Sequence, residues 1–225
     1  PGVNILSLYL VEEKVRKTTG VNPLMHDMCV DSCVAFTGPF AGYEQCPECN
    51  QPRYSGPPAR PGAPRKPRKQ FMTLPLGTQL QGMWGSPAEA RNMSYAARRV
   101  EEVKAFRRQN PGNPGSWTDL IDGDDFLAAV KRKHVNPATD PILILSLDGA
   151  QLYRNKTSEC WIFIWIILNR EPALRYKKQY IMPGGFIPGP KKPKNIDSFL
   201  FPSLHHLAAL QKEGLKVWNA LDGRV

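Results

Sequence analysis

Four of the five cysteines fall between positions 29 and 49, as Cys29-x3-Cys33 and Cys46-x2-Cys49 with twelve residues between the pairs. Two close thiol pairs of this kind suit a tetrahedral, structural Zn2+ site. A tight turn lets Cys46 and Cys49 point at one ion, and an i, i+4 pair such as Cys29 and Cys33 shares a helix face. His26 sits three residues before Cys29 and could replace a thiolate. The ligand set is therefore four cysteines, or three with His26. Structural disulfides and buried free thiols are the competing states. Disulfides are the less expected, because "NILSLYLV" has no basic stretch before it and an acidic "VEEK" after it, unlike a secretory leader. Cys160 lies outside the pattern and reads as a core thiol.

Asp148 is the second residue with chemistry to offer. It follows the apolar run "ILILSL" in "SLDGAQLY". A carboxylate closing a buried strand is rigidly held at the rim of a sheet, where ligands of α/β folds gather. Phosphodiester cleavage uses such carboxylates to hold two Mg2+ ions about 4 Å apart, and one Asp cannot hold both. Gly149 would permit close backbone approach. The competing reading of Asp148-Gly149 is a hairpin turn. Asp197 and Glu171 read as loop or cap residues. The Asp119, Asp122, Asp124, Asp125 cluster lacks the alternating ligands of a calcium loop and reads as helix capping with a solvated acidic turn.

Two long tracts contain no acid. From Gln51 to Ala88, Arg53, Arg60, Arg65, Lys66, Arg68 and Lys69 alternate with prolines, the pattern of a stiff, extended basic linker. From Pro172 to Asn195, Arg175, Lys177, Lys178, Lys191, Lys192 and Lys194 accompany Tyr176 and Tyr180. A loop of that kind could track a DNA backbone while the tyrosines stack on unpaired bases, and the competing reading is a solvated basic loop. The net charge of +10 favours a phosphate-rich partner. Nothing in either tract indicates base readout. His205 and His206 read as surface or half-buried helix residues.

The elements that must position these groups are uneven along the 225 residues. Twenty-two prolines argue against a single compact domain over the whole length. A short helix is expected over Asn4–Arg16, with Gly20 as its stop, and another over Ser94–Gln109. Trp117–Lys133 reads as helical with Asp124 as N-cap. "ILILSL" and "WIFIWIIL" read as strands covered on both faces, and a further strand lies between Tyr180 and Pro190, interrupted by Gly184-Gly185. Pro202 and Ser203 open a helix whose Leu204, Leu207, Ala208, Leu215 and Trp218 share a face. The expected division is 1–28 helical lead-in, 29–54 cysteine-rich zinc module, 55–70 proline-rich basic linker, 71–140 mainly helical region and 141–225 α/β domain. The longest apolar run, Trp161–Leu168, is eight residues against roughly 20 for a membrane span, so no membrane partner and a soluble, intracellular protein are expected.

Several strings resemble one family in order: "HDMCVDSC", "CPECNQPRY", "RKQFMTLPLGTQLQGMW", "SLDGAQLY", "IPGPKKPKNIDSFLFP" and "LFPSLHHLAALQKEGLKVW". They are similar to CACTA-type DDE transposases in the form carried by fungi. The resemblance implies a mixed α/β chain: a zinc-binding module and helical region, then the start of a ribonuclease H-like domain. It implies that Asp148 is the first of three catalytic acids serving Mg2+ or Mn2+, that the cysteine segment holds Zn2+, and that DNA is the partner. It also implies a nuclear location and self-association in a transposition complex. The other two acids have no candidate here, so the chain is expected to be part of the enzyme and inactive alone. A non-catalytic, zinc-containing nucleic-acid-binding protein derived from such a transposase is the alternative, and a decayed reading frame a third.

Overall fold

A computed structural model describes residues 5–151, 154 and 159–225. Helix α1 (Leu8–Thr19) starts where the Ser7 hydroxyl accepts the Leu10 N–H. It stops at Gly20, whose φ of 70° is the left-handed turn glycine adopts without strain. Five strands follow: β1 (Leu24–Asp27), β2 (Gln70–Thr73), β3 (Leu143–Gln151), β4 (Glu159–Ile167) and β5 (Met182–Pro188). Helices α2 (Leu76–Gly82), α3 (Pro87–Asn92), α4 (Tyr95–Gln109) and α5 (Asp124–Lys131) lie between β2 and β3, α6 (Pro172–Arg175) between β4 and β5, and α7 (Ile196–Glu213) after β5. The fold is mixed α/β, with one five-stranded antiparallel sheet in the order β1-β2-β5-β4-β3.

The sheet is built from both ends of the sequence. β1 pairs with β2 from Leu24↔Thr73 to Asp27↔Gln70, and β2 pairs with β5 through Met72↔Phe186 and Thr73↔Gly185. Gly184 and Gly185 do not interrupt β5 as the sequence led us to expect. A Cβ at Gly185 would overlap the Phe163 ring and come within 2.7 Å of the Met72 carbonyl oxygen, so neighbouring strands require glycine there. Both apolar runs were expected to be covered on two faces. β4 buries Phe163, Trp165, Ile166 and Ile167, whereas β3 ends the strand order and has no fully buried residue.

Contacts divide the chain into two units. The first holds residues 1–79, 147–164 and 183–215. Its core joins Met28, Ala35, Phe71, Ile187 and Phe199, with Trp161 and Ile196 against them. The 55–70 segment belongs to this unit and is not an extended linker. It folds back, with Ser55 N–H on the Lys66 carbonyl and Arg68 N–H on the Arg53 carbonyl, both at 2.9 Å. Side chains anchor the fold-back: Arg53 reaches Asp27 at 2.7 Å, and Arg65 pairs with Glu44 while lying over the Tyr54 ring. Arginine pairing thus overrides the extended preference of the prolines. Helix α7 begins six residues before Pro202, because the Asn195 side chain caps it by accepting the Ser198 N–H at 3.1 Å. It buries Phe199, Leu200 and Ser203 rather than the expected leucine face, and Leu215 and Trp218 lie beyond its end.

The second unit holds residues 80–146, 165–182 and 216–225. Ala96, Val100 and Ile121 form its core with Phe126, Leu127, Val130 and Ile142. Gly123, not Asp124, is the N-cap of α5, and Asp124 instead pairs with Arg107 at 2.6 Å. Asp119 and Asp122 are buried rather than solvated: Asp119 pairs with Arg175 and Asp122 with Arg99, and together they make a capping box around the turn Leu120–Asp122. Arg175 is therefore structural, as is Arg170, which is buried against Glu89 and the Tyr180 ring.

Candidate metal centre and nucleic-acid interface

The four thiols Cys29, Cys33, Cys46 and Cys49 converge, with every Sγ within 4.8 Å of the others. A tetrahedral Zn2+ with bonds of about 2.3 Å places thiolates about 3.8 Å apart, so this donor set fits the ion with small adjustments. Cys29, Cys33 and Cys46 are buried and Cys49 is partly so. Each pair sits in a turn. Cys29 N–H donates to the Val34 carbonyl and Ser32 N–H to the Cys29 carbonyl, both at 2.9 Å, with a bridge between Met28 and Ala35 closing the loop. The first pair was expected on a helix face; a turn presents it instead, with Ser32 in the left-handed region at φ 59°. The second turn is closed by Cys46 N–H on the Gln51 carbonyl and by Asn50 at φ 58°.

Backbone N–H groups point at the sulfurs. Asp31 donates to Cys29 Sγ at 3.4 Å. Glu48 and Cys49 donate to Cys46, and Gln51 donates to Cys49. Such donors stabilise thiolates. Burial works the other way: it pushes the Cys33 thiol well up, and raises Cys46 to about 11 against the N–H bonds. Burial also disfavours the Cys49 thiolate, but the Gln51 N–H and neighbouring thiols bring that group below its ordinary value. A buried quartet of this kind holds four negative charges only with a cation among them, and Zn2+ with four thiolates leaves 2 − 4 = −2. His26 lies elsewhere. Its Nε2 is 2.8 Å from Thr73 Oγ1 and its ring packs on Phe71, so four cysteines, without His26, form the set brought together.

The basic residues divide by what they already hold. Arg65 is committed to Glu44, Arg68 to Gln51 at 2.6 Å, and Lys69 to the Val30 and Gly189 carbonyls and Ser32 Oγ. Half-burial lowers the Lys69 pKa, partly offset by Cys29 and Asp31. Lys66 is exposed. Lys191, Lys192 and Lys194 are exposed beside the first cysteine turn: Lys191 pairs with Asp31 at 2.7 Å, and Lys192 lies 5.1 Å from the centroid of the Trp161 ring. Sequence reasoning missed the groups that bring this loop there, Lys69 as a bridge, Asp31 as a partner and Ser198, whose hydroxyl accepts the Ala35 N–H at 2.8 Å. The N-x-x-S string at Asn195 was the available signal for the last of these.

In the second unit Lys177 and Lys178 are exposed next to Tyr176. The tract from Pro172 to Asn195 is not one loop; it holds α6, β5 and the cap of α7. Of its two tyrosines only Tyr176 is exposed, since Arg170 covers Tyr180 at 4.2 Å.

Asp148 is exposed and lies inside β3, three residues before its end, so neither a strand terminus nor a hairpin turn describes it. Its Oδ1 accepts the Gly149 N–H at 2.7 Å. Gly149 is overlain by Trp161, to which an added Cβ would come within 3.0 Å. Among the described residues the cysteine quartet is the sole group of three or more potential metal ligands. The described residues bring no further carboxylates to Asp148 with which it could hold a Mg2+ or Mn2+ pair. Asp197 stands in the first turn of α7, where the helix dipole favours a carboxylate, and Glu171 precedes α6 as its N-cap residue. Cys160 is half-buried on β4, where burial raises its pKa. His205 stacks on Phe201, and His206 Nε2 accepts the Gly77 N–H at 3.2 Å. Among the described residues no helix is long and apolar enough to cross a membrane.

Comparison with protein families, with curated proteins and with solved structures returned no match.

Proposed function

We propose that this chain is a zinc-stabilised, DNA-binding part of a CACTA-type DDE transposase, in which residues 1–225 bind DNA and do not cut it. One observation carries the reading: the exposed lysines 191, 192 and 194 border a four-cysteine centre, which gives a basic surface a rigid support. The partner is the phosphate backbone, which lysines neutralise with release of counterions. The resemblance of the motif strings supplies the family, and with it a nuclear location and self-association. The order β3, β4, β5 as neighbouring strands followed by α7 supports reading this part as the start of a ribonuclease H-like fold. Asp148 is then the first acid of the family's catalytic set, and its exposure on β3 is compatible with that role. The test is a titration of labelled duplex DNA across salt concentrations. Binding should weaken steeply with salt and vary little with sequence; absence of binding at low salt contradicts the reading.

A further inference from the structure

The loop that carries Lys191, Lys192 and Lys194 is tied to the turn between Cys29 and Cys33. Lys194 N–H donates to the Ser32 carbonyl at 3.3 Å and Asn195 N–H to the Cys33 carbonyl at 2.9 Å. Lys191 Nζ meets Asp31 Oδ1 at 2.7 Å. Lys69 Nζ joins the Gly189 carbonyl, at 2.7 Å, to Ser32 Oγ and the Val30 carbonyl, at 3.0 and 3.3 Å. Every one of these contacts on the cysteine side falls on residues 30–33, between two thiols of the quartet. The turn itself is strained, because Ser32 holds φ 59° without being glycine. Left-handed backbone is disfavoured at such a residue and persists only where surroundings enforce it.

We infer that metal in the cysteine centre governs the DNA-binding surface, by fixing the 30–33 turn on which the 190–195 lysine loop is docked. A metal held by Cys29, Cys33, Cys46 and Cys49 would close the turn from both ends. Without that crosslink Ser32 relaxes, and the acceptors for Lys194, Asn195 and Lys69 move. Lys191, Lys192 and Lys194 then separate under their mutual repulsion, since Asp31 is the one carboxylate paired with this loop among the described residues. A phosphate backbone meets three lysines held together in the first state and a mobile chain in the second. The inference rests on the zinc and DNA readings above.

Hydrogen exchange on the zinc-bound and the chelator-stripped protein tests it without reference to activity. Removal of zinc should speed exchange across residues 190–196 roughly tenfold or more, together with residues 29–35, while Leu74, bonded to the Gly184 carbonyl between β2 and β5, keeps its rate. Stripped protein should also bind a short labelled duplex roughly tenfold more weakly at low salt. Loosening of 29–35 with 190–196 unchanged overturns the coupling and leaves the zinc site standing. Equal acceleration at 190–196 and Leu74 also overturns it, since zinc would then hold the whole unit. Zinc-bound protein that fails to bind DNA contradicts the proposed function, and the exchange result still decides the coupling. A protein that takes up no zinc overturns the inference outright.

Discussion

Asp119 receives both terminal nitrogens of Arg175 at 2.8 Å, with side chains only 4% and 2% exposed. Tyr95 adds its hydroxyl to the same carboxylate at 2.8 Å. Burial alone would raise the Asp119 pKa, but Arg175 and Tyr95 outweigh it and the group is held below its ordinary value. Tyr95 is pushed up to about 12 by burial and by Asp119. Arg175→Met leaves a buried carboxylate without its cation and should lower unfolding free energy by about 3–5 kcal/mol. The double variant Asp119→Leu, Arg175→Met should recover most of that loss. Urea denaturation of both decides it: a single variant within about 1 kcal/mol of the parent means the pair contributes little.

Acid stability should be set in part by Asp122. Arg99 is its main stabilising partner, at 2.6 and 2.9 Å, and Thr118 adds backbone and hydroxyl donors, so its folded pKa lies well below the usual carboxylate range. A depressed folded pKa contributes stability that is fully present above the unfolded value, near 3.9, and lost as pH falls through the folded one. Melting temperature should therefore be insensitive to this group near neutrality and decline below about pH 5. Asp122→Asn should be less stable at pH 7 and show a flatter acid decline. Parallel acid limbs in parent and variant contradict the assignment.

Much of the candidate centre was legible because cysteine spacing is a local signal: the two pairs needed only turns to converge. The lysine loop beside it was half legible. Its charge was visible, but the contacts of Lys69 with Ser32, Asp31 with Lys191 and Ser198 with Ala35 span 37 to 163 residues, beyond any local pattern. Separations of 26 and 21 residues likewise hid the use of Arg53 and Arg65, which bind Asp27 and Glu44 and fold the proline segment back. β3 and β4 could be placed from apolar runs, whereas the pairing of β2 with β5 joins residues over 100 apart, that of β1 with β2 joins residues over 40 apart, and neither left a mark in periodicity. Helix α7 was placed too late because Pro202 masked the Asn195 cap.

DNA contact should separate the exposed lysine loop from the arginines that fold the proline segment back. Changing Lys191, Lys192 and Lys194 to Gln should reduce the slope of log affinity against log salt by roughly 0.9 per lost phosphate contact, for a total near 3. Arg65→Gln should leave that slope unchanged, because Arg65 is held by Glu44. Equal effects from the two variants would show that the lysine loop is not the contact surface.

Cleavage is expected to be absent. Asp148 stands apart from any further carboxylate pair among the described residues, so residues 1–225 incubated with DNA and Mg2+ or Mn2+ should leave strands intact. Asp148→Asn should not weaken DNA binding, and removing one negative charge should strengthen it slightly if at all. Strand cleavage that is lost on Asp148→Asn would establish a metal site this geometry does not support.

Metal content is the most direct measurement. Purified under reducing conditions, the protein should carry about one Zn2+ per chain. Cys46→Ser, which removes one buried ligand, should lose most of it, while His26→Gln should retain it, because His26 is bonded to Thr73. Zinc absent from the parent, two disulfides among Cys29, Cys33, Cys46 and Cys49, or zinc lost on His26→Gln would contradict a four-cysteine centre.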